Sequence, residues 1–316
     1  MLLHLVRRTA ILVASLVVSS VLVFGFMVLL PGDPARVALG VNASEDAVAR
    51  LRTEFGLDRP LVEQYLAWLS GLVRFDLGRS YVSKVEIAPQ ILDRLQVTLW
   101  LVVCAMVVAV VIAVPLGTLM AVRRRHVSGL VLSAVSQVGV AVPAFLAGIL
   151  LITVFAVRLG WLPANGWTPP NEDPVQFLRQ LVLPVLSLGL VQGAVLTRYV
   201  RSAILDVQRE DYIRTARAKG LGPFRALWRH GFRNAAIPVV TVLALQLSTL
   251  LIGAVVVERV FVIPGLGSLL LDQVSNRDLV FVQDIVMLLV FAVLLVNFLV
   301  DVLYLAIDPR LRVSHS

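Results

Sequence analysis

Six long apolar stretches, near residues 9–30, 97–122, 129–157, 181–203, 235–258 and 284–307, constrain this chain more than any other feature. Crossing an apolar layer of about 30 Å takes roughly 20 helical residues, and each stretch reaches that length. Their charges gather at the ends, with Asp301 the clear exception. A membrane barrel would alternate apolar and polar residues at every second position. These runs are apolar on every side, which selects helix. The composition agrees: 59% of residues are hydrophobic and only 15% charged, with mean hydropathy +0.89. Soluble domains carry about 25% charged residues.

The first stretch follows Arg7 and Arg8, as a secretory signal would. Its apolar run of about 22 residues exceeds the usual 7–15-residue signal core, and no A-x-A-like site closes it. It reads as a retained anchor. The single cysteine, Cys104, lies inside the second stretch, so no disulfide forms within the chain.

Basic residues set the expected orientation. With the amino terminus inside, the inner side holds Arg7, Arg8, the Arg123–Arg125 cluster, Arg310 and Arg312. It also holds nine Lys/Arg between Arg198 and Arg233, against Asp206, Glu210 and Asp211. The opposite loop 31–96 is balanced, with eight Lys/Arg and nine Asp/Glu. Both termini then face the cytosol. The net charge of +8 reflects topology, and no nucleic-acid partner follows from it.

Loop 31–96 is the one sizeable segment outside the spans. Ser44 can cap a short helix whose first turn carries Glu45 and Asp46, and Gly56 can end it. Pro60 suits the first position of a second helix. There Leu61, Val62, Tyr65, Leu66, Leu69, Leu72 and Val73 recur at helical spacing beside Trp68, a stripe that packs on protein or lies at the interface. With no internal repeat and no low-complexity linker, residues 1–316 read as one transmembrane domain.

Nothing in the chain pairs a nucleophile with a base. Neither Lys84 nor Lys219 closes a phosphate loop, and none of His4, His126, His230 and His315 opens an H-E-x-x-H site. No G-x-S-x-G elbow occurs, and Gly265-Leu266-Gly267 after Pro264 reads as a tight turn. No catalytic residue, metal site or bound cofactor is expected.

Two regions carry functional signals. Residues 204–234 form a basic, helix-forming loop with Arg214, Arg217, Lys219, Arg225, Arg229 and Arg233, its acids confined to the start. Leu221, Phe224, Leu227 and Trp228 sit among those charges, as apolar anchors do on a docking surface. Within the spans, uncharged polar residues face protein or water. Ser133, Ser136 and Gln137 fall at i, i+3 and i+4 of the third span. Gln246 and Thr249 share a face of the fifth, which Gly253 extends. These six are the candidates for a mildly polar transport path, with helix-to-helix contact as their competing role. Pro115, Pro143 and Pro184 interrupt the helical ladder. The third span, about 43 Å long if straight, must tilt, bend or extend beyond the bilayer.

The chain resembles the first inner-membrane permease subunit of the dipeptide, oligopeptide and nickel ABC importers. The likeness is carried by LLPGDP (29–34), FGLDRPLVEQYLAWL (55–69), FDLGRS (75–80), DYIRTARAKGL (211–221), HGFRNAAIP (230–238), PGLG (264–267), RD (277–278) and NFLVDVLYLAIDPRLR (297–312), in that order. It implies an all-α fold of six spans, an extracytoplasmic helical insertion after the first and a cytosolic coupling helix between the fourth and fifth. In such permeases that helix docks on an ATPase. Here the implied contacts are Asp211, Tyr212, Arg214, Thr215, Ala216, Arg217, Lys219, Gly220, Leu221 and Phe224. Against the general pattern EAA-x-x-x-G followed by I-x-L-P, alignment on Gly220 places Arg214, Thr215 and Ala216 at EAA, and His230, Phe232 and Arg233 at I, L and P. Only Ala216 and Gly220 match.

The implied partners are a second permease, two ATPase subunits or domains that hold ATP and Mg, an extracytoplasmic binding protein, and the lipid of a bacterial cytoplasmic membrane. Peptides are the first implied cargo, with nickel, glutathione or another small solute as alternatives. An ion-coupled transporter is the competing mechanism, and an intramembrane enzyme a more distant one.

Overall fold

The computed structural model describes residues 2–30, 32–40, 43–124 and 126–307. Pro31 of the first quoted string, Arg125 of the arginine cluster, and Arg310, Arg312 and His315 lie outside them. Among the described residues there is helix and no strand, only an isolated bridge between Arg79 and Glu86. Five helices among the described residues are long and apolar enough to cross a membrane, or six if one bent pair counts as a span.

The chain divides into two compact units, Met1–Thr98 with Pro264–Phe298, and Leu99–Ile263 with Leu299–Ser316. The first opens with helix α1 (Leu2–Leu29). Helix α2 (Pro34–Leu39) starts where the Asp33 carboxylate accepts from the Ala35 amide, and α3 (Glu45–Glu54) where the Ser44 hydroxyl accepts from Ala47. Both caps satisfy amides the helix itself leaves open. The chain leaves α3 through Gly56 at φ +69, as its sequence position suggests. Helix α4 (Leu61–Arg74) begins one residue later than expected, with Pro60 outside as its cap position.

Tyr65 and Trp68 of α4 lie against Phe24 of α1, with ring centroids 5.5 and 6.1 Å away, and the Tyr65 and Ser20 hydroxyls share a 2.8 Å hydrogen bond. Val62, Leu66 and Val73 of the predicted stripe stay exposed. Helix α5 (Ile87–Val122) starts well before residue 97. Its first turns bury Ile87 and Ile91 against Leu266 and Leu269 of α12 (Leu266–Ser275) and Phe281 and Ile285 of α13 (Leu279–Ile307). Helix α12 was not expected; the Pro264–Gly267 turn is its entry, with Gly265 as cap. The early start of α13 places Asp284 inside the span, so Asp301 is not the lone acid there.

In the second unit the third span is two helices, α6 (Val127–Ala141) and α7 (Ala144–Leu151), bent by 100° where Pro143 interrupts. Proline denies the ladder a donor and disfavours helix in the residue before it, which fits Val142 in an extended conformation. Helix α7 continues as the π-helical turn Ile152–Arg158. Helix α8 (Pro174–Gln208) is the most buried, whereas Pro115 in α5 and Pro184 in α8 sit within continuous helix. The short helices α9 (Asp211–Ala218) and α10 (Pro223–Ala226) and the π-helical turn Leu227–Gly231 lead into α11 (Phe232–Val260).

Candidate functional site

Helix α9 is the heart of the basic loop. Its Ile213 and Ala216 are buried, and Ile213 joins Val207 of α8 and Leu227 in one apolar cluster. Gly231 permits that closure: a Cβ there would stand 2.7 Å from Val207 Cγ1 and 2.9 Å from Leu227 Cδ1. Leucine 227, expected as a surface anchor, is therefore a core residue that seats the loop, and Leu221 is half-buried. Ile213 and Gly231 were missed as seating residues, although Ile213 is the lone aliphatic among five polar or charged neighbours.

The other face is open. Asp211, Tyr212, Arg214, Thr215, Arg217, Lys219, Gly220 and Phe224 are exposed. Arg214 reaches Asp211 at 3.3 Å, and the Thr215 hydroxyl donates to the Asp211 carbonyl. Asn234 Nδ2 donates to the Tyr212 hydroxyl at 2.9 Å, tying α9 to the first turn of α11. Gly220 has φ +91 with no atom within 4 Å of its would-be Cβ. The constraint at Gly220 is conformational, not steric crowding. Phe224 and Trp228, 60% and 65% exposed, stack at 6.5 Å, and Trp228 lies 4.9 Å from Phe232. An aromatic row beside Arg225 and Arg229, which pair with no carboxylate among the described residues, can receive a complementary protein face.

The candidate path residues do not stay on one face. Ser136, 8% exposed, donates to the Ala194 carbonyl of α8 at 3.0 Å. Ser133 bonds within α6 to the Gly129 carbonyl, and Gln137 is exposed. On α11, Gln246 is buried with its Nε2 unpartnered among the described residues, Thr249 is exposed, and Gly253 approaches Leu188 of α8.

A second constellation lies in the first unit. The Ser80 hydroxyl donates to the buried Asp278 carboxylate, and Trp68 Nε1 donates to Asp284 Oδ1 at 2.8 Å. Tyr81 stacks on Phe55 at 3.9 Å. Burial pushes the Tyr81 hydroxyl above its ordinary pKa range, with the carboxylates of Asp284 and Asp278 adding to the shift. Three quoted strings, those holding Phe55 with Trp68, Ser80 and Asp278, therefore converge here. Sequence reading placed them in order without showing that they meet. An acid inside a span, Asp284, was the available signal.

Residues 113–313 match the family described as the binding-protein-dependent transport system inner membrane component, and residues 1–102 match its N-terminal counterpart. A glutathione transport system permease protein of Escherichia coli O6:H1 is 43% identical over 312 residues, covering 99% of both chains. A protein of the same name from Pectobacterium atrosepticum is 42% identical over the same length and coverage. A chain of the MetNI methionine ABC transporter in an inward-facing conformation superposes with TM-score 0.56 at 19% identity, over 69% of this chain and 96% of that one. That likeness speaks for the fold.

Proposed function

From the chain's membership of the family of inner-membrane permease subunits of binding-protein-dependent ABC importers, we propose that it passes a peptide-like solute of the glutathione class inward. Subunits of this class are non-catalytic, multi-pass membrane proteins. The relatives' names favour glutathione over the dipeptides and oligopeptides expected first.

The observation that carries the coupling role is the two-sided build of α9: Ile213 and Ala216 locked into the chain's own core, with Arg214, Arg217 and Lys219 left outside. A helix seated in this way transmits a push from a docked partner into α8 and α11. The partner is an ATPase pair holding ATP and Mg, working beside a second permease and an external binding protein. Loop 31–96 faces the binding protein, and both termini face the cytosol. Gln137 is the path residue whose exposure leaves its amide open to solute, and exposed Thr249, whose hydroxyl donates to the Leu245 carbonyl, can still accept; the Ser136 bond to Ala194 and the contact of Gly253 with Leu188 favour a packing role for those two.

The test is uptake of labelled glutathione, dialanine or nickel ion into proteoliposomes holding this chain with its partner permease and ATPases. Each assay includes the corresponding binding protein. Uptake of glutathione that requires ATP inside the cytosol-equivalent compartment is the expected result. Uptake driven by an ion gradient without the ATPases, or nickel uptake alone, would overturn the reading.

A further inference from the structure

Within the first unit, α1, α2, α3, α4, the loop 76–81 and the start of α13 surround an open bowl of about 870 Å³. That volume lies in the range of small-molecule sites, roughly 300–1,000 Å³, and far exceeds what one protein side chain fills. Its wall carries Phe24, Trp68 and Tyr81, rings that offer area at little entropic cost.

The charges around it are unevenly satisfied. Arg36 makes a close pair with Glu45, Arg52 reaches Asp33 at 3.5 Å, and Arg79 reaches Glu86 at 3.5 Å. Arg59 and Arg74 also line the bowl, yet no carboxylate among the described residues pairs with either guanidinium. Gln283 adds a neutral polar group: it lines the bowl at 7% exposure, and its amide has no hydrogen-bond partner among the described residues.

We infer that this bowl is a binding site for a peptide-like solute that carries a carboxylate toward each end, with Arg59 and Arg74, at opposite ends of α4, each taking one carboxylate and Gln283 a peptide group. Guanidinium forks suit carboxylates, an amide both donates and accepts as a peptide does, and the rings cover apolar side chains. Volume decides for a free solute over an acidic side chain of a docked protein. The site deepens the import reading, on which it rests for the side from which solute arrives; binding itself needs neither ATP nor transport.

The full chain in lipid nanodiscs, assembled with the second permease and the ATPases but without the external binding protein, is titrated with labelled glutathione, with glutathione diethyl ester and inorganic phosphate as competitors. Saturable binding that the ester and phosphate fail to displace is the expected result. Arg59→Gln with Arg74→Gln should weaken it by roughly ten- to a hundredfold, as loss of charge-assisted bonds does. Arg36→Gln, whose guanidinium already serves Glu45, should change it less than about threefold, with thermal midpoints preserved throughout. Equal displacement by the ester or by phosphate, wild-type affinity in the double variant, or an equal loss from Arg36→Gln would each overturn the site. Glutathione bound but not transported would leave the site standing and sink the transport reading; transport without this binding would do the reverse.

Discussion

Two insertions of short helices, residues 31–86 after α1 and residues 209–231 before α11, are held with different emphasis. The first adds side-chain hydrogen bonds and stacked rings to a small apolar cluster of Ala35, Val48 and Leu51: Ser20 with Tyr65, Trp68 with Asp284, Ser80 with Asp278, and Phe55 with Tyr81. No residue of α4 is fully buried. The second relies on aliphatic contact, with Ile213 and Leu227 closed around Gly231, and its charges point away. Directional bonds fix a bowl of defined shape. A greasy seat with a charged outer face instead holds one side of a helix and leaves the other for a partner.

The largest expected effect breaks the greasy seat. Gly231→Leu would drive a side chain into Val207 and Leu227, where even a Cβ is too close. Overpacking of this kind costs about 1–3 kcal/mol or more, and should lower the yield of intact protein and its thermal midpoint. A variant with wild-type melting would show that the loop is not seated as described.

Next in size is the polar lock. Asp284→Ala leaves the half-buried Trp68 indole N–H without its acceptor, a loss of about 0.5–1.5 kcal/mol. Trp68→Phe combined with Asp284→Ala should cost less than the sum of the two single changes, because the pair is then absent from both sides. Strict additivity in thermal melting would remove the lock from the first insertion.

Gly220→Trp separates coupling from folding. The position is open, so the side chain meets nothing, and the positive φ costs about 1–2 kcal/mol for a residue with a Cβ. The chain should insert at near-normal yield, while solute-stimulated ATP hydrolysis by the assembled complex is lost. Normal stimulation would detach α9 from the motor. Orientation is checked on the same preparations with Cys104 replaced. Asp46→Cys and Ser128→Cys should react with an impermeant thiol reagent from opposite faces; Asp46 is chosen because Ser44 caps α3. Labelling from one face would overturn the topology.

Legibility in the sequence tracked the range of the interaction. The caps at Ser44 and Gly56, the break at Pro143 and the open basic face of α9 were readable because each depends on neighbours a few residues away. Ser80 and Asp278 stand 198 positions apart, and Trp68 and Asp284 stand 216 apart; no periodicity reports such meetings. Helix α12 escaped because it is too short to span a membrane and follows a turn that reads as a stop. The split of the path residues escaped for another reason. Spacings of three and four place residues on one side of a helix, but a neighbour as close as α8 covers part of that side.

That split gives the smallest and most discriminating prediction. Ser136→Ala removes one hydrogen bond, to the Ala194 carbonyl, worth about 0.5–1.5 kcal/mol, and a hydroxyl that no solute can reach past α8. Transport should stay near wild type while the thermal midpoint falls slightly. Gln137→Leu removes an exposed amide one residue along, so it should reduce the rate of glutathione uptake by a few-fold and leave assembly and basal ATP hydrolysis unchanged. The two readouts must move in opposite senses for the two variants. If Gln137→Leu instead lowers the yield of complex with uptake per complex unchanged, the exposed amide is a contact to the second permease, and the path lies on another face.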